Sequence, residues 1–156
     1  MTYIDVIENE MNLSSDEPAF AGGACDEIIV EFEKALGVEF PPSYKLFLKK
    51  FGALSFGGNT YYGITKTGLE ATAVPSVFFA TKTTRDRGDA DSAMIVVKAS
   101  GYGPVFSINT SQLSPSGEAV VVLTELSFKR DGAKEVMYES FEAFFCDTVR
   151  TSIAEL

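Results

Sequence analysis

The sequence predicts an α+β fold: a single domain with a largely antiparallel sheet and helices packed against it. Helical periodicity dominates the first third of the chain, short apolar runs between turn residues dominate the middle, and a last helical pattern follows. Helices grouped apart from strands indicate an antiparallel sheet rather than alternating βαβ units. The 156 residues are predicted to form one domain over 1–156, large enough to bury roughly 70% of its unfolded surface.

The first helices are predicted from caps and apolar spacing. Residues 2–12 fit a short helix capped by Thr2, and residues 13–24 are predicted as loop from their Ser, Pro and Gly content. Residues 26–36 form a clearer amphipathic pattern, and Gly37 stands where a helix commonly ends in a left-handed residue. A second long helix is expected directly after this one.

That second helix, residues 43–51, follows a Pro-Pro corner. Pro41 and Pro42 stop one helix and suit the first turn of the next, because the missing N–H of proline has no partner there anyway. Apolar residues then recur at i, i+3, i+4 and i+7, with Phe47 at the centre of the apolar face. We expect helices 26–36 and 43–51 to pack on one face of a sheet that contains residues 93–99 and 119–125.

The remaining elements are mostly strands. Residues 53–64 are predicted to form a strand and a hairpin around Gly57-Gly58-Asn59, and Asp131-Gly132 is a second hairpin signal. Residues 76–88 fit a helix capped by Ser76, although their Val, Phe and Thr content keeps a strand open. Ser140 caps a closing helix whose apolar face includes Phe144. Three strands are expected in between, at 93–99, 105–109 and 119–125.

Charge is unevenly distributed along the chain. The net charge is −9, and the first forty residues carry all of it, with ten acidic residues and one lysine. A nucleic-acid ligand is disfavoured, because phosphate binding requires a basic surface. A basic protein partner fits better, while an acidic surface that only keeps the protein soluble is the alternative. The candidate partner-binding residues are Asp26, Glu27, Glu31, Glu33 and Glu39.

Composition argues against several other functions. The chain has no histidine, so neither a serine hydrolase at Ser55 nor a His-ligated zinc site is expected. The acidic loop at residues 86–91 lacks the register of a calcium loop. With two cysteines, no apolar run of about eighteen residues and an acidic N-terminus, we expect a cytoplasmic protein without disulfides, membrane span or signal peptide. No cofactor or metal is predicted.

Several motifs resemble the SUKH superfamily, the Smi/Knr-like domains. The segment EKALGVEFPPSYKLFLKKFG is similar to the family's opening motif, and weaker matches follow in the family's order. The departures are Asn109, where aspartate is common, and Ala119, where proline is common. The matching segments are residues 33–52, the MIVV strand, Gly103–Ser111, the Gly117-Glu118 turn with its strand, and residues 140–145.

The resemblance implies the SUKH fold and a non-enzymatic function. Bacterial SUKH domains are mostly immunity proteins that bind and block a cognate polymorphic toxin, often a nuclease. This implies a basic toxin as partner, with no direct nucleic-acid or membrane contact. The first alternative is a scaffold or regulatory module of the Smi/Knr type. The second is a small-ligand binder or carboxylate-based enzyme that uses the aromatic residues Tyr61, Tyr62 and Tyr102.

Overall fold

The computed structural model describes residues 2–101, 103–125 and 133–156. These residues form five α-helices, a short 3-10 helix at Gly68–Glu70, and seven strands. The helices are α1 (Tyr3–Asn12), α2 (Asp26–Leu36), α3 (Pro42–Lys50), α4 (Val77–Asp86) and α5 (Phe141–Ala154). The strands are β1 (Ala19–Phe20), β2 (Leu54–Phe56), β3 (Asn59–Tyr61), β4 (Met94–Ala99), β5 (Val105–Leu113), β6 (Ala119–Thr124) and β7 (Glu135–Tyr138).

The strands form two antiparallel sheets rather than the single sheet that we expected. The first has the order β1-β2-β3 and the second β4-β5-β6-β7. The N–H of Tyr62, just after β3, donates to the carbonyl of Val97 in β4 at 2.8 Å, which joins the two sheets. The α+β class with an antiparallel arrangement is confirmed.

Local signals placed the helices accurately. Helix α2 has the predicted bounds and ends at Gly37, whose φ of 68° is left-handed. Pro41 is the N-cap of α3, and Pro42 occupies its first turn. Ser76 caps α4 by accepting a hydrogen bond from the N–H of Phe79 at 3.2 Å. Residues 77–86 are therefore helical, which settles the strand alternative.

The prediction of which helices pack on the sheet was wrong. Helices α4 and α5, not α2 and α3, provide the main cover of the four-stranded sheet. The Thr81 hydroxyl of α4 accepts from the N–H of Val96 in β4 at 2.9 Å, and Phe144 of α5 lies 5.3 Å from Phe106 of β5, between ring centroids. Helix α2 packs against α4 through Phe32 and Phe78, whose rings are 6.4 Å apart. Periodicity identified an apolar face correctly but not the element that the face contacts.

Aromatic side chains from α3 and α5 form the centre of the core. Phe47 is fully buried, and its ring centroid lies 5.3 Å from that of Phe141 and 5.4 Å from that of Phe145. Phe144 is also fully buried. Both residues predicted to be central core positions are therefore confirmed.

Residues 13–24 are not only loop, because β1 pairs with β2 in antiparallel register. The Asp131-Gly132 turn and Tyr102 lie outside the described residues, although β6 and β7 do pair antiparallel. In the part of the chain that the structure describes, no helix is long and apolar enough to cross a membrane.

Candidate partner-binding surface

The outer side of α2 exposes two carboxylates one turn apart. Ile29, Phe32 and Leu36 turn towards the core, so Glu27 and Glu31 point to solvent on the opposite side. Val30 lies beside them and is 44% exposed. No ion pair involves either glutamate within the described chain. These two residues fit the predicted role in binding a basic partner.

Asp26, at the start of α2, forms an ion pair with Lys49 of α3. Its carboxylate lies 3.0 Å from the lysine Nζ, and its side chain remains 74% exposed. An exposed pair of this kind contributes only about 0–1 kcal/mol. Asp26 therefore stays accessible to a partner at small cost.

Glu33 differs from its neighbours because its side chain is largely buried and accepts a backbone hydrogen bond. Its Oε2 accepts a hydrogen bond from the N–H of Phe40 at 2.7 Å and lies 3.6 Å from the Nζ of Lys45, and its side chain is only 14% exposed. A carboxylate that accepts this N–H fixes the turn between α2 and α3. Glu33 thus holds the corner in place.

Other acidic residues of the first forty are also engaged inside the molecule. Glu10 accepts two hydrogen bonds from the Arg150 guanidinium, at 3.0 and 2.9 Å, and these bonds hold the pKa of the Glu10 carboxyl below its usual value. Glu8 pairs with Lys50 at 3.2 Å, and Asp16 accepts from the Gly57 N–H at 2.9 Å. The acidic quarter of the sequence is therefore partly neutralised in space by cations from later in the chain.

Glu39 is exposed and lies at the corner between α2 and α3, beside a groove of about 420 Å³. The other side of this groove carries Glu118, a residue that sequence reasoning did not select. Its Oε1 accepts a hydrogen bond from the buried Ser43 hydroxyl at 2.7 Å. The signal was present, because Gly117-Glu118 belongs to one of the segments that resemble the SUKH family. As a motif, this segment indicates the fold and does not by itself assign Glu118 a role.

Of the aromatic residues considered for a small ligand, Tyr61 and Tyr62 are part of the core. Tyr61 is fully buried and hydrogen-bonded to Thr148 at 2.6 Å, and burial raises the pKa of its phenol above the usual value. Tyr62 is only 8% exposed. Their place in the hydrophobic core explains the presence of both side chains without a ligand.

Among the described residues, the side chains considered for metal binding or hydrolysis make contacts within the chain. There, no three His, Cys, Asp or Glu side chains come together to hold a metal ion. In the loop considered for calcium, Asp89 pairs with Arg87 at 3.5 Å and Asp91 pairs with Lys134. The Ser55 hydroxyl contacts that of Thr60 at 3.2 Å.

Comparison with known proteins agrees with this architecture. The profile of a SUKH family described as SMI1-KNR4 cell-wall matches residues 26–145. A crystal structure of a protein from Pseudomonas syringae pv. tomato is similar to this chain with a TM-score of 0.64 and 17% identity, covering 92% of this chain and 96% of that one. No curated protein matches the sequence. At that identity the structural likeness shows the fold, and the profile covers more than half of the chain, so the chain belongs to the SUKH family.

Proposed function

We propose that this protein is an immunity protein that binds a cognate polymorphic toxin, of nuclease type, and neutralises it. Membership of the SUKH family, which includes toxin-immunity proteins, supports a binding function. The observation that carries the proposal is the exposed acidic side of α2, where Glu27 and Glu31 have no cationic partner within the described chain. Asp26 and Glu39 extend this surface, and Glu33 supports it from within.

Electrostatics explains why such a surface suits this function. A nuclease binds phosphates and therefore presents a basic active-site surface. Complementary charge raises association rates by about 10- to 1,000-fold. Rapid capture protects a cell in which a few free toxin molecules are harmful. The acidic side of α2 would meet the same surface that the toxin uses for nucleic acid.

The proposal places the protein in the cytoplasm and assigns it no catalysis, cofactor, nucleic-acid contact or membrane contact. Cys25 and Cys146 are both free thiols, which is consistent with a reducing compartment. The partner contact is protein to protein, so inhibition should be stoichiometric rather than catalytic.

The proposal expects the adjacent gene to encode a protein with a toxin-like C-terminal domain, and the test uses that domain. Purified domain is titrated with this protein while its nuclease activity is followed, and growth is scored when the two are produced together. We expect activity to fall to zero at a fixed molar ratio and growth to be restored. Full activity in the presence of excess protein, with no growth rescue, would contradict the proposal.

The family description also favours a second candidate, a scaffold or regulatory module of the Smi/Knr type. Such a module would bind a basic protein without inhibiting an enzyme. The same titration separates the two functions, because a scaffold binds its partner and leaves nuclease activity unchanged.

A further inference from the structure

A groove lies between the corner that joins α2 to α3 and the hairpin that joins β5 to β6. We call it the corner groove. Its volume is about 420 Å³. Its described lining comes from residues 37–42 of the corner and from Thr110, Leu113 and residues 117–119 of the hairpin. Neither wall is a single helix face, so the groove suits an extended chain better than a helix.

The groove combines apolar surface with negative charge. Leu113 is 64% exposed on the hairpin wall, and Pro42 is exposed on the corner wall. Glu39 stands on the corner wall and Glu118 on the hairpin wall. Among the described lining residues none is basic. The complementary occupant therefore carries a positive charge next to an apolar side chain.

Both walls are held in place before any partner arrives. On the corner wall, Glu33 accepts from the N–H of Phe40 at 2.7 Å. On the hairpin wall, the N–H of Gly117 donates to the Ser114 carbonyl at 2.9 Å. The hydrogen bond from Ser43 to Glu118, 2.7 Å long, ties the two walls together. Preorganised walls lower the cost of binding, because few groups must be ordered on association.

The corner groove adjoins a second depression that reaches α2. This depression has a volume of about 490 Å³, shares Gly37, Val38 and Glu39 with the corner groove, and is also lined by Val30, Glu33, Lys34 and Lys45. Glu31 follows Val30 on α2 and is exposed. Lys34 and Lys45 bring positive charge to this second depression, so the negative charge that suits a basic residue lies in the corner groove itself.

We propose that the corner groove is where the partner protein inserts an extended segment. A Lys or Arg of that segment faces the carboxylates of Glu39 and Glu118, and a neighbouring apolar side chain packs against Leu113. The inference rests on the proposed function and deepens it, because it names the surface that recognises the partner and the chemistry of the segment recognised. The apolar contact supplies affinity near the centre, and the charges orient the segment.

The test measures Kd for the toxin-like domain encoded by the adjacent gene with two groove variants and two matched controls. Leu113→Asp is compared with Leu13→Asp, a leucine that is 79% exposed at the end of α1. Glu39→Lys is compared with Glu17→Lys, another exposed glutamate of the first forty residues. Each pair makes the same chemical change, so any difference within a pair is due to position.

We expect each groove variant to raise Kd by roughly 30-fold or more, as at a binding hot spot, and each control to change it by less than about threefold. Groove variants that match their controls, while the wild type binds, would overturn the groove assignment and leave the proposed function intact. A wild type that does not bind would overturn both. A wild-type dimer that Leu113→Asp alone dissociates would assign the groove to a second copy of this chain and would also overturn the proposal.

Discussion

Different forces stabilise two regions of the molecule, the aromatic core between α3 and α5 and the charged surface of α1 and α2. In the core, Phe47 is fully buried, and its ring centroid lies 5.3 Å from that of Phe141 and 5.4 Å from that of Phe145. On the surface, the pair formed by Glu10 and Arg150 has side chains that are 33% and 53% exposed. Buried rings contribute several kcal/mol each and exposed pairs about 0–1 kcal/mol. The core therefore determines stability, and the surface charges can be changed to test binding without unfolding the protein.

The largest effect is expected in the core. Phe47→Ala should lower the free energy of unfolding by about 3–5 kcal/mol, because it leaves a cavity among packed rings. Leu46→Ala, at the next position of α3, is the matched control, since Leu46 is 36% exposed. Urea unfolding monitored by circular dichroism measures both. A loss below about 1 kcal/mol for Phe47→Ala would mean that this face of α3 is not in the core.

A smaller effect separates two glutamates of α2. Glu33→Ala should cost about 1.5–3 kcal/mol, because the Phe40 N–H loses a charged acceptor at a largely buried site. Glu31→Ala, which removes an exposed side chain two positions earlier, should change stability by less than about 0.5 kcal/mol. If urea unfolding gives equal losses of unfolding free energy for Glu33→Ala and Glu31→Ala, Glu33 does not stabilise the corner.

The smallest stability effect concerns Glu10. The hydrogen bond from Arg150 lowers the pKa of the folded-state carboxyl below the reference value of 4.5. The stabilisation is therefore present above pH 4.5 and is lost as the pH falls through the lowered folded-state value. Glu10→Gln should cost less than about 1 kcal/mol at pH 7, and the difference from wild type should shrink in acid.

Unfolding of wild type and Glu10→Gln at a series of pH values between 7 and about 3 measures this difference. Glu17→Gln, which removes an exposed carboxylate without an ion-pair partner in the described chain, is the control for loss of charge alone. If the difference in free energy of unfolding between wild type and Glu10→Gln grows as the pH falls, that result would contradict the ion pair between Glu10 and Arg150.

Sequence reasoning predicted the local elements well because their signals are local. The Gly37 cap, the Pro41-Pro42 corner and the Ser76 and Ser140 caps each act within a few residues, so the helix bounds followed directly. The order of the helical and strand patterns predicted the α+β class, and the family resemblance implied the SUKH fold. Which helices cover which sheet depends on contacts between distant elements, and periodicity carries no information about them.

The candidate site was harder to predict for the same reason. Glu33 lies among other acidic residues in sequence, but Phe40 and Lys45 come close to it only when the corner folds. Four cations from later in the chain, Lys45, Lys49, Lys50 and Arg150, pair with acidic residues of the first forty. A count of charge along the chain therefore overstated the acidic surface. Glu118 is 75 residues from its partner Ser43, and charge patterning gave no reason to connect them.

The central claim is that the acidic side of α2 attracts a basic partner. The double variant Glu27→Lys/Glu31→Lys is compared with Glu139→Lys/Glu155→Lys, which changes the net charge equally at exposed positions flanking α5. Association and dissociation rates with the adjacent-gene toxin domain are measured over a salt series. Exposed interface charges act mainly on association, and salt screens them.

We predict that the α2 double variant associates more slowly than the control and shows a flatter salt dependence, with a smaller change in dissociation. That result would place the attraction on α2 rather than in the overall net charge. Equal association rates and equal salt slopes for the two double variants would contradict the claim, and the acidic side of α2 would then serve only to keep the protein soluble.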